Sequence, residues 1–88
     1  MSHYLYILIN TDSNQRHYIG ITDDLTKRLK THNSGAVHST KPYRPWHIGY
    51  TEEFTTRTDA RKRELFLKRT ARARKDIFDS ISSNGLIV

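Results

Sequence analysis

The sequence predicts an α+β domain, in which a three-stranded antiparallel sheet is flanked by about three helices in the order β-β-α-β-α-α. Two short apolar segments lie close together near the N-terminus, separated by turn-forming residues, and a third such segment follows the two prolines. Two further stretches have the charge pattern and apolar spacing of helices. The chain has 88 residues, too few for two separate cores, so we expect one domain spanning residues 1–88.

The first two strands are predicted to form an antiparallel hairpin. HYLYILIN (3–10) is rich in aromatic and β-branched residues, and HYIGI (17–21) has the same character. TDSNQR (11–16) between them favours a turn, because Asp, Ser and Asn side chains bond readily to nearby backbone groups.

A turn centred near residue 13 sets the predicted register of this hairpin. It places Tyr6 across from Gly20 and Leu8 across from Tyr18, so the two tyrosines lie diagonally on one face of the sheet. Gly20 then leaves an opening beside them, where a backbone or a phosphate can approach closely. Ordinary packing is the alternative role of such tyrosines.

TDDLTKRLKTHNSG (22–35) is predicted to be the first helix. Thr22 or Asp23 provides its N-terminal cap. Asn33 and Gly35 are residue types that end helices, so we expect the helix to stop there.

Arg28 and His32 lie one turn apart on this helix and flank the apolar stripe of Leu25 and Leu29. An arginine beside such a stripe usually extends its charged head into solvent. Beside a strand that is opened by Gly20, however, the pair is typical of donors to a phosphate.

A polar loop, a third strand and a long helical stretch complete the chain. The loop is AVHSTKPYRP (36–45), and WHIGYTEEF (46–54) follows as the strand. TTRTDARKRELFLKRTARARKDIFDSI (55–81) is predicted to be helical from near residues 58–59. We expect it to break into two helices near Thr70, which can cap the second.

The positive charge is concentrated in this helical stretch. The formal net charge is +6, from 15 Lys and Arg against 9 Asp and Glu, and RKRELFLKRTARARK (61–75) holds eight basic residues and one acid, Glu64. A basic helix of this density is typical of proteins with a phosphate-rich partner. A solvated, solubilising helix face is the alternative, whereas membrane binding is disfavoured because the apolar residues are committed to a core.

Cysteine is absent, so neither disulfides nor a thiolate zinc site supports the core. The apolar run YLYILI (4–9) is too short for a signal-peptide core or a membrane span. The absence of cysteine fits a reducing compartment, and we expect the protein in the cytoplasm.

Glu64 lies at the margin of an apolar stripe and is expected to face the body of the protein. On a continuous helix the stripe consists of Ala60, Leu67, Ala71 and Phe78. An ion pair with Arg61 or Lys68 is one interpretation of Glu64. The other is a carboxylate ligand for Mg²⁺ or Mn²⁺, since magnesium keeps most of its waters and needs only one or two protein carboxylates.

These residues together resemble the GIY-YIG nuclease family over residues 3–80. The first motif that names the family aligns with Tyr4-Leu5-Tyr6, where its glycine is missing, and the second is intact as Tyr18-Ile19-Gly20. Family members carry an arginine eight residues after that glycine, which is Arg28. Many have a histidine four residues further on, which is His32.

The metal-binding glutamate of the family matches Glu64 in ARKREL. Several family nucleases have an asparagine about one helix later, where this chain has Asp76, so that auxiliary position is unassigned. The chain is most similar to small single-domain members related to the N-terminal domain of the bacterial excinuclease.

The resemblance implies metal-dependent hydrolysis of phosphodiester bonds. Glu64 would hold Mg²⁺ or Mn²⁺, which stabilises the phosphate and the leaving oxygen. Tyr6 would take a proton from the attacking water as a phenolate stabilised by Arg28, and Tyr18 would position that water or share the role. Arg28 would also neutralise charge on the phosphate, and His32 would hydrogen-bond a tyrosine or the phosphate.

The resemblance also implies a nucleic-acid substrate, with DNA expected, and a role in repair or recombination. Backbone contacts of this kind position a strand without reading its sequence. The residues expected to bind substrate are Gly20, Lys41, Tyr43, Arg44, Arg61 and Lys68.

Two alternatives to an enzyme fit the same composition. The first is a nucleic-acid-binding module that uses the same fold without catalysis, and the second is a small basic ribosome-associated or structural protein. Retention of Tyr6, Tyr18, Arg28 and Glu64 together favours the enzyme.

Overall fold

The computed structural model describes residues 2–10 and 16–83, so most of the predicted hairpin turn lies outside the described residues. Its element order confirms the predicted α+β fold, with a short 3₁₀ turn (Lys41–Tyr43) before the third strand. The strands and helices are β1 (His3–Asn10), β2 (His17–Thr22), α1 (Leu25–Asn33), β3 (Trp46–Phe54), α2 (Arg57–Arg69) and α3 (Ala71–Ser83). Within the described ranges, no helix combines the length and apolar character that crossing a membrane requires.

β1 is the central strand of the sheet, whose order is β2-β1-β3 with antiparallel neighbours on both sides. Tyr6 pairs with Gly20 and Leu8 with Tyr18, which confirms the predicted register. Because successive side chains of a strand alternate between faces, Tyr6 and Tyr18 project from the same face of the sheet.

Both faces of the sheet are covered, which explains why the middle of β1 is almost fully buried. One face packs against α2 and α3. Its buried core consists of Leu5, Ile7, Ile9, Ile19, Leu67 and Ile81. The other face packs against α1 and the chain between α1 and β3. Its buried residues are Tyr6, Leu8 and Trp46, with Leu25 and Leu29 of α1 packed against them.

Asp24 caps α1, with Oδ1 accepting a backbone N–H of the first turn at 3.0 Å, so the predicted caps Thr22 and Asp23 are wrong. Thr22 still belongs to β2, and its hydroxyl accepts a hydrogen bond from Asp24 N–H at 3.1 Å. The predicted C-terminal end at Asn33 is confirmed. Gly35 has a φ of +85°, a left-handed conformation that glycine adopts without strain.

The predicted helix break at Thr70 is confirmed, and it changes which residues are buried. α2 is capped by Thr56, whose Oγ1 accepts a backbone N–H at 3.1 Å, and so begins slightly before the predicted start. Thr70 is extended, with φ −120° and ψ 91°, so the expected apolar stripe does not continue through it. Ala71 of the predicted stripe is exposed, whereas Phe78 packs against the core together with Ile77 and Ile81 of α3.

An ion pair ties α2 to β3. Arg63 donates to the Glu52 carboxylate through Nε at 2.9 Å and through Nη2 at 3.0 Å. Tyr50 Oη donates to the same carboxylate at 2.5 Å. Two-point contacts of this kind restrict rotation of α2 about its axis. They therefore help to keep Glu64, the next residue of α2, facing the body of the protein.

Candidate active site

Tyr6 occupies the centre of the site and is almost fully buried, at 1% exposure. Gly20, its partner on β2, makes room for the ring: a Cβ at this position would lie 2.5 Å from Tyr6 Oη and 2.7 Å from its Cζ. Non-bonded carbon contacts are favourable only at about 3.5–4.0 Å. The prediction that Gly20 opens the backbone to a phosphate is therefore wrong, because the space it leaves is filled by the Tyr6 phenol.

A continuous chain of hydrogen bonds passes through this phenol. Arg28 Nε donates to Tyr6 Oη at 3.0 Å, and Tyr6 Oη lies 3.0 Å from His32 Nε2. His32 Nδ1 lies 2.9 Å from Thr40 Oγ1, which donates to the Val37 carbonyl at 3.3 Å. Assigning the one hydroxyl proton of Thr40 to that carbonyl places the ring proton of a neutral His32 on Nδ1. Tyr6 therefore donates to the bare Nε2, and each group donates to the next.

Burial keeps both Tyr6 and His32 neutral near pH 7. It raises the pKa of Tyr6, and the opposing hydrogen bond and charge of Arg28 do not overcome it. It lowers the pKa of His32, and the positive charge of Arg28 acts in the same direction. Arg28 therefore favours the phenolate, as expected, but burial outweighs it and the pKa of Tyr6 stays raised. The phenol keeps its proton, and His32 Nε2 is placed to accept it.

The structure brings Tyr18 and His32 to the same cluster. His32 is 0% exposed, and its ring centroid lies 5.9 Å from that of Tyr6 and 4.8 Å from that of Tyr18. Tyr18 is half-buried, with its ring centroid 6.3 Å from that of Tyr6, and it also interacts with Arg28. Of the two partners expected for His32, a tyrosine or a phosphate, the structure supplies the tyrosine.

Glu64 lies on α2, which covers the sheet face opposite to α1. Burial raises the pKa of the Tyr6 phenol most, Tyr18 adds to this rise, and the negative charge of Glu64 makes the smallest contribution to it. Glu64 is 5% exposed, and its carboxylate accepts from Arg61 at 2.5 Å and from Lys68 at 3.1 Å. Both ion pairs considered from the sequence are therefore present. Among the residues that the structure describes, no group of three or more His, Cys, Asp or Glu is placed to hold a metal ion.

The remaining predicted residues lie around this cluster. Tyr43 is half-buried in the layer that contains Tyr6, and its ring centroid lies 4.0 Å from the guanidinium of Arg16. Lys41 and Arg44 are exposed on the segment between α1 and β3, where Arg44 Nε donates to the Lys41 carbonyl at 2.9 Å. Asp76, the auxiliary position left unassigned, is exposed on α3.

Thr40 is absent from the predicted site, although it fixes the tautomer of His32. It is 1% exposed because long-range contacts fold its segment inward. Trp46 Nε1 donates to the Thr40 carbonyl at 2.9 Å, and the Trp46 backbone exchanges hydrogen bonds of 2.7 and 3.1 Å with the Asn33 side chain. No local pattern in the polar loop distinguishes Thr40 from its neighbours, because its position depends on these partners.

Comparison with known proteins decides the family. The model of the GIY-YIG catalytic domain matches residues 2–76. The chain belongs to the GIY-YIG family of nucleases. The motif-based resemblance is thus confirmed, and the geometry gives the GIY-YIG motifs a physical reason: the last tyrosine of the first motif fills the space above the glycine of the second.

Small GIY-YIG relatives match nearly the whole chain. A UPF0213 protein from Bacillus pumilus is 40% identical over 78 residues, which cover 88% of this chain and 78% of that protein. UPF0213 protein YazA from Bacillus subtilis is 35% identical, covering 88% and 77%. The solution NMR structure of a UPF0213 protein from Bacillus halodurans, 30% identical, has a TM-score of 0.54 and covers 92% of this chain and 85% of that one. These names specify no substrate.

Proposed function

We propose that this protein is a single-domain, divalent-metal-dependent endonuclease that hydrolyses phosphodiester bonds in nucleic acid, with DNA as substrate. The observation that carries the proposal is the hydrogen-bonded chain from Arg28 through Tyr6 to a neutral, fully buried His32. Hydrogen bonds of this kind also stabilise the fold, but the placement of His32 Nε2 to accept the phenol proton supports a catalytic role.

Glu64 fits a metal site in which one protein carboxylate is the protein ligand and water and phosphate oxygens are the others. Mg²⁺ and Mn²⁺ prefer oxygen ligands, and Mg²⁺ often uses only one or two protein carboxylates. The side chains that now hold Glu64, those of Arg61 and Lys68, are 56% and 47% exposed, so both can turn into solvent and toward phosphate groups. When bound, the ion supplies Lewis-acid stabilisation of the phosphate and of the leaving oxygen.

Tyr6 is the proposed proton acceptor for the attacking water. As the water oxygen bonds to phosphorus, its proton passes to Tyr6 Oη while the proton of Tyr6 passes to His32 Nε2. No free phenolate is needed, in agreement with the raised pKa of Tyr6. The imidazolium that forms keeps its Nδ1–H bonded to Thr40, which holds the ring in place.

Arg28 and Tyr18 are proposed to contact the phosphate and the water. Arg28 donates to Tyr6 through Nε, which leaves other guanidinium N–H groups for phosphate oxygens. A preorganised donor to developing negative charge lowers the barrier by about 3–4 kcal/mol in comparable sites. Tyr18 lies on the same face as Tyr6, where its hydroxyl can orient the water.

A non-catalytic nucleic-acid-binding module on the same fold is the second candidate. The observation that favours it is the pairing of both Glu64 oxygens, because Arg61 and Lys68 neutralise the carboxylate without a metal ion. In this case the basic helices would bind nucleic acid, and no bond would be cleaved. For the enzyme we propose a role in DNA repair or recombination, on the basis of the family resemblance alone, and a cytoplasmic location.

The test is incubation with branched, flapped and single-stranded DNA and with RNA, in Mg²⁺, in Mn²⁺ and in EDTA. We expect metal-dependent cleavage that Glu64→Gln abolishes. Glu53→Gln is the matched control, since Glu53 is an exposed carboxylate on β3, and it should retain activity. A protein that binds these substrates but yields no product under any condition would refute the enzyme and leave the binding module.

A further inference from the structure

A cleft of about 390 Å³ lies beside Tyr18, between the start of β2, the segment that joins α1 to β3, and α3. We call it the β2–α3 cleft. The lining residues that carry the argument are Arg16, His17, Tyr18, Tyr43, Arg74 and Phe78. Since Tyr18 also contacts the Tyr6 cluster, the cleft continues directly from the candidate active site.

Arg74 presents a fixed positive charge to this cleft. Its Nη1 donates to the carbonyls of Leu67 and Lys68, both at 2.8 Å, so the guanidinium caps the last turn of α2. The Nε and Nη2 groups are left for another acceptor, and no carboxylate among the described residues pairs with Arg74. A guanidinium held in this way is preorganised to bind a phosphate.

Arg16 supplies the second charge, from another wall of the cleft. Its guanidinium lies 4.0 Å from the ring centroid of Tyr43, a cation–π contact that restrains an otherwise exposed side chain. His17 stacks on Phe78 with ring centroids 4.0 Å apart. No Asp or Glu is among the described residues that line the cleft, so the charge of the two arginines is uncompensated there.

The surface on the other side of the cluster has a different charge balance. Arg28 lines two depressions there; Asp23 lines both of them, and Asp24 lines one. These acids offset the neighbouring basic residues. A polyanionic strand that crosses the Tyr6 cluster is therefore attracted more strongly toward the β2–α3 cleft.

We propose that the β2–α3 cleft binds the phosphodiester backbone of the nucleic-acid strand next to the phosphate that is cut, with Arg16 and Arg74 contacting its phosphate groups. The inference rests on the proposed nuclease function. It adds to that function the path of the nucleic-acid strand away from the candidate active site. It also adds two contact residues that the family motifs do not identify.

The experiment measures binding of a fluorescently labelled oligonucleotide in EDTA, over a series of salt concentrations. Arg16→Ala should weaken binding by about 5- to 10-fold and reduce the slope of log K against log salt by about 0.7–0.9, the value for one lost phosphate contact. Arg72→Ala is the matched control, because Arg72 is an exposed arginine on α3 that does not line the cleft. It should change the affinity by less than about twofold.

Arg74 needs a different substitution, because alanine would also remove the cap of α2. Arg74→Lys keeps the charge but cannot keep the fork-shaped contact, and it should weaken binding by about threefold or more. Urea unfolding of this variant shows whether α2 remains folded. A loss of affinity at unchanged stability supports the subsite, and unchanged affinity counts against Arg74.

Equal losses for Arg16→Ala and Arg72→Ala would overturn the proposal, since only overall charge would then matter. Displacement of the oligonucleotide by a nucleoside monophosphate at matched ionic strength would also overturn it, in favour of a mononucleotide site. Binding in EDTA does not depend on cleavage. An Arg16 effect without nuclease activity therefore refutes only the proposed function, and cleavage without an Arg16 effect refutes only the cleft.

Discussion

Replacing Gly20 with alanine should destabilise the protein, although alanine is intrinsically favoured over glycine in a strand by roughly 0.5–1 kcal/mol. The new Cβ would lie 2.5 Å from Tyr6 Oη. A favourable contact needs about 3.5 Å, so the phenol would have to retreat by about 1 Å. This retreat determines the outcome.

A shift of about 1 Å would disconnect the phenol from its partners. Both hydrogen bonds of Tyr6, from Arg28 Nε and to His32 Nε2, are 3.0 Å long, and the shift takes them beyond the usual limit of about 3.2 Å. Leaving buried polar groups unpaired costs about 1–3 kcal/mol each. After the gain from alanine is subtracted, we expect Gly20→Ala to lower the free energy of unfolding by about 2–4 kcal/mol.

Urea unfolding followed by circular dichroism measures this loss. Gly49→Ala is the control, because the atoms nearest to its Cβ would be side-chain carbons of Ile9, at 3.1 Å or more; it should cost about 1 kcal/mol. In a Tyr6→Phe background the closest atom is gone, so Gly20→Ala should cost less there. A Gly20→Ala protein that is as stable as the wild type but no longer binds nucleic acid would show that our reasoning about the glycine is wrong.

Three further predictions concern the proton path, the pH dependence and the first helix cap. Thr40→Val should reduce kcat about tenfold or more, because Thr40 holds the imidazole that accepts the phenol proton. General acid–base catalysis as a whole contributes a rate enhancement of about 10²- to 10⁴-fold. An unchanged kcat would show that Thr40 is not part of the proton path. The free energy of unfolding should fall as the pH drops below about 6.5, because the unfolded chain protonates His32 and His17 there while burial holds both pKa values lower in the folded state. Each contributes at most about 1.4 kcal/mol per pH unit, and constant stability between about pH 7.5 and 5.5 would contradict this. Asp24→Ala should cost about 1 kcal/mol in thermal unfolding through loss of the cap, whereas Asp23→Ala should cost little.

The features that depend on local chemistry could be predicted from the sequence. Strand alternation puts Tyr6 and Tyr18 on one face once the turn is placed, and Thr70 interrupts an otherwise continuous helical pattern. The start of α1 was harder to place, because Thr22, Asp23 and Asp24 are all residue types that cap helices. Only the path of the chain out of β2 selects among them.

The features that depend on tertiary packing could not be predicted. A glycine at position 20 indicates that a side chain is missing, but not that the Tyr6 ring fills the space. The direction of the Tyr6 pKa shift follows from burial, which outweighs the nearby Arg28 charge visible in the sequence. Thr40 reaches His32 only because Trp46 and its partners fold a polar segment inward.

Because β1 is the central strand and both of its faces are covered, successive residues of β1 have different roles. Leu5, Ile7 and Ile9 belong to the core beneath α2 and α3, whereas Tyr6, between them, faces the proposed chemistry. In a saturation scan of this strand, polar substitutions at positions 5, 7 and 9 should deplete folded protein strongly. Tyr6→Phe should deplete it less, because it leaves only one buried atom, His32 Nε2, without its partner, and it should abolish activity. Substitutions at Leu5, Ile7 or Ile9 can therefore change the stability of the domain while Tyr6 Oη, on the opposite face of β1, keeps its position.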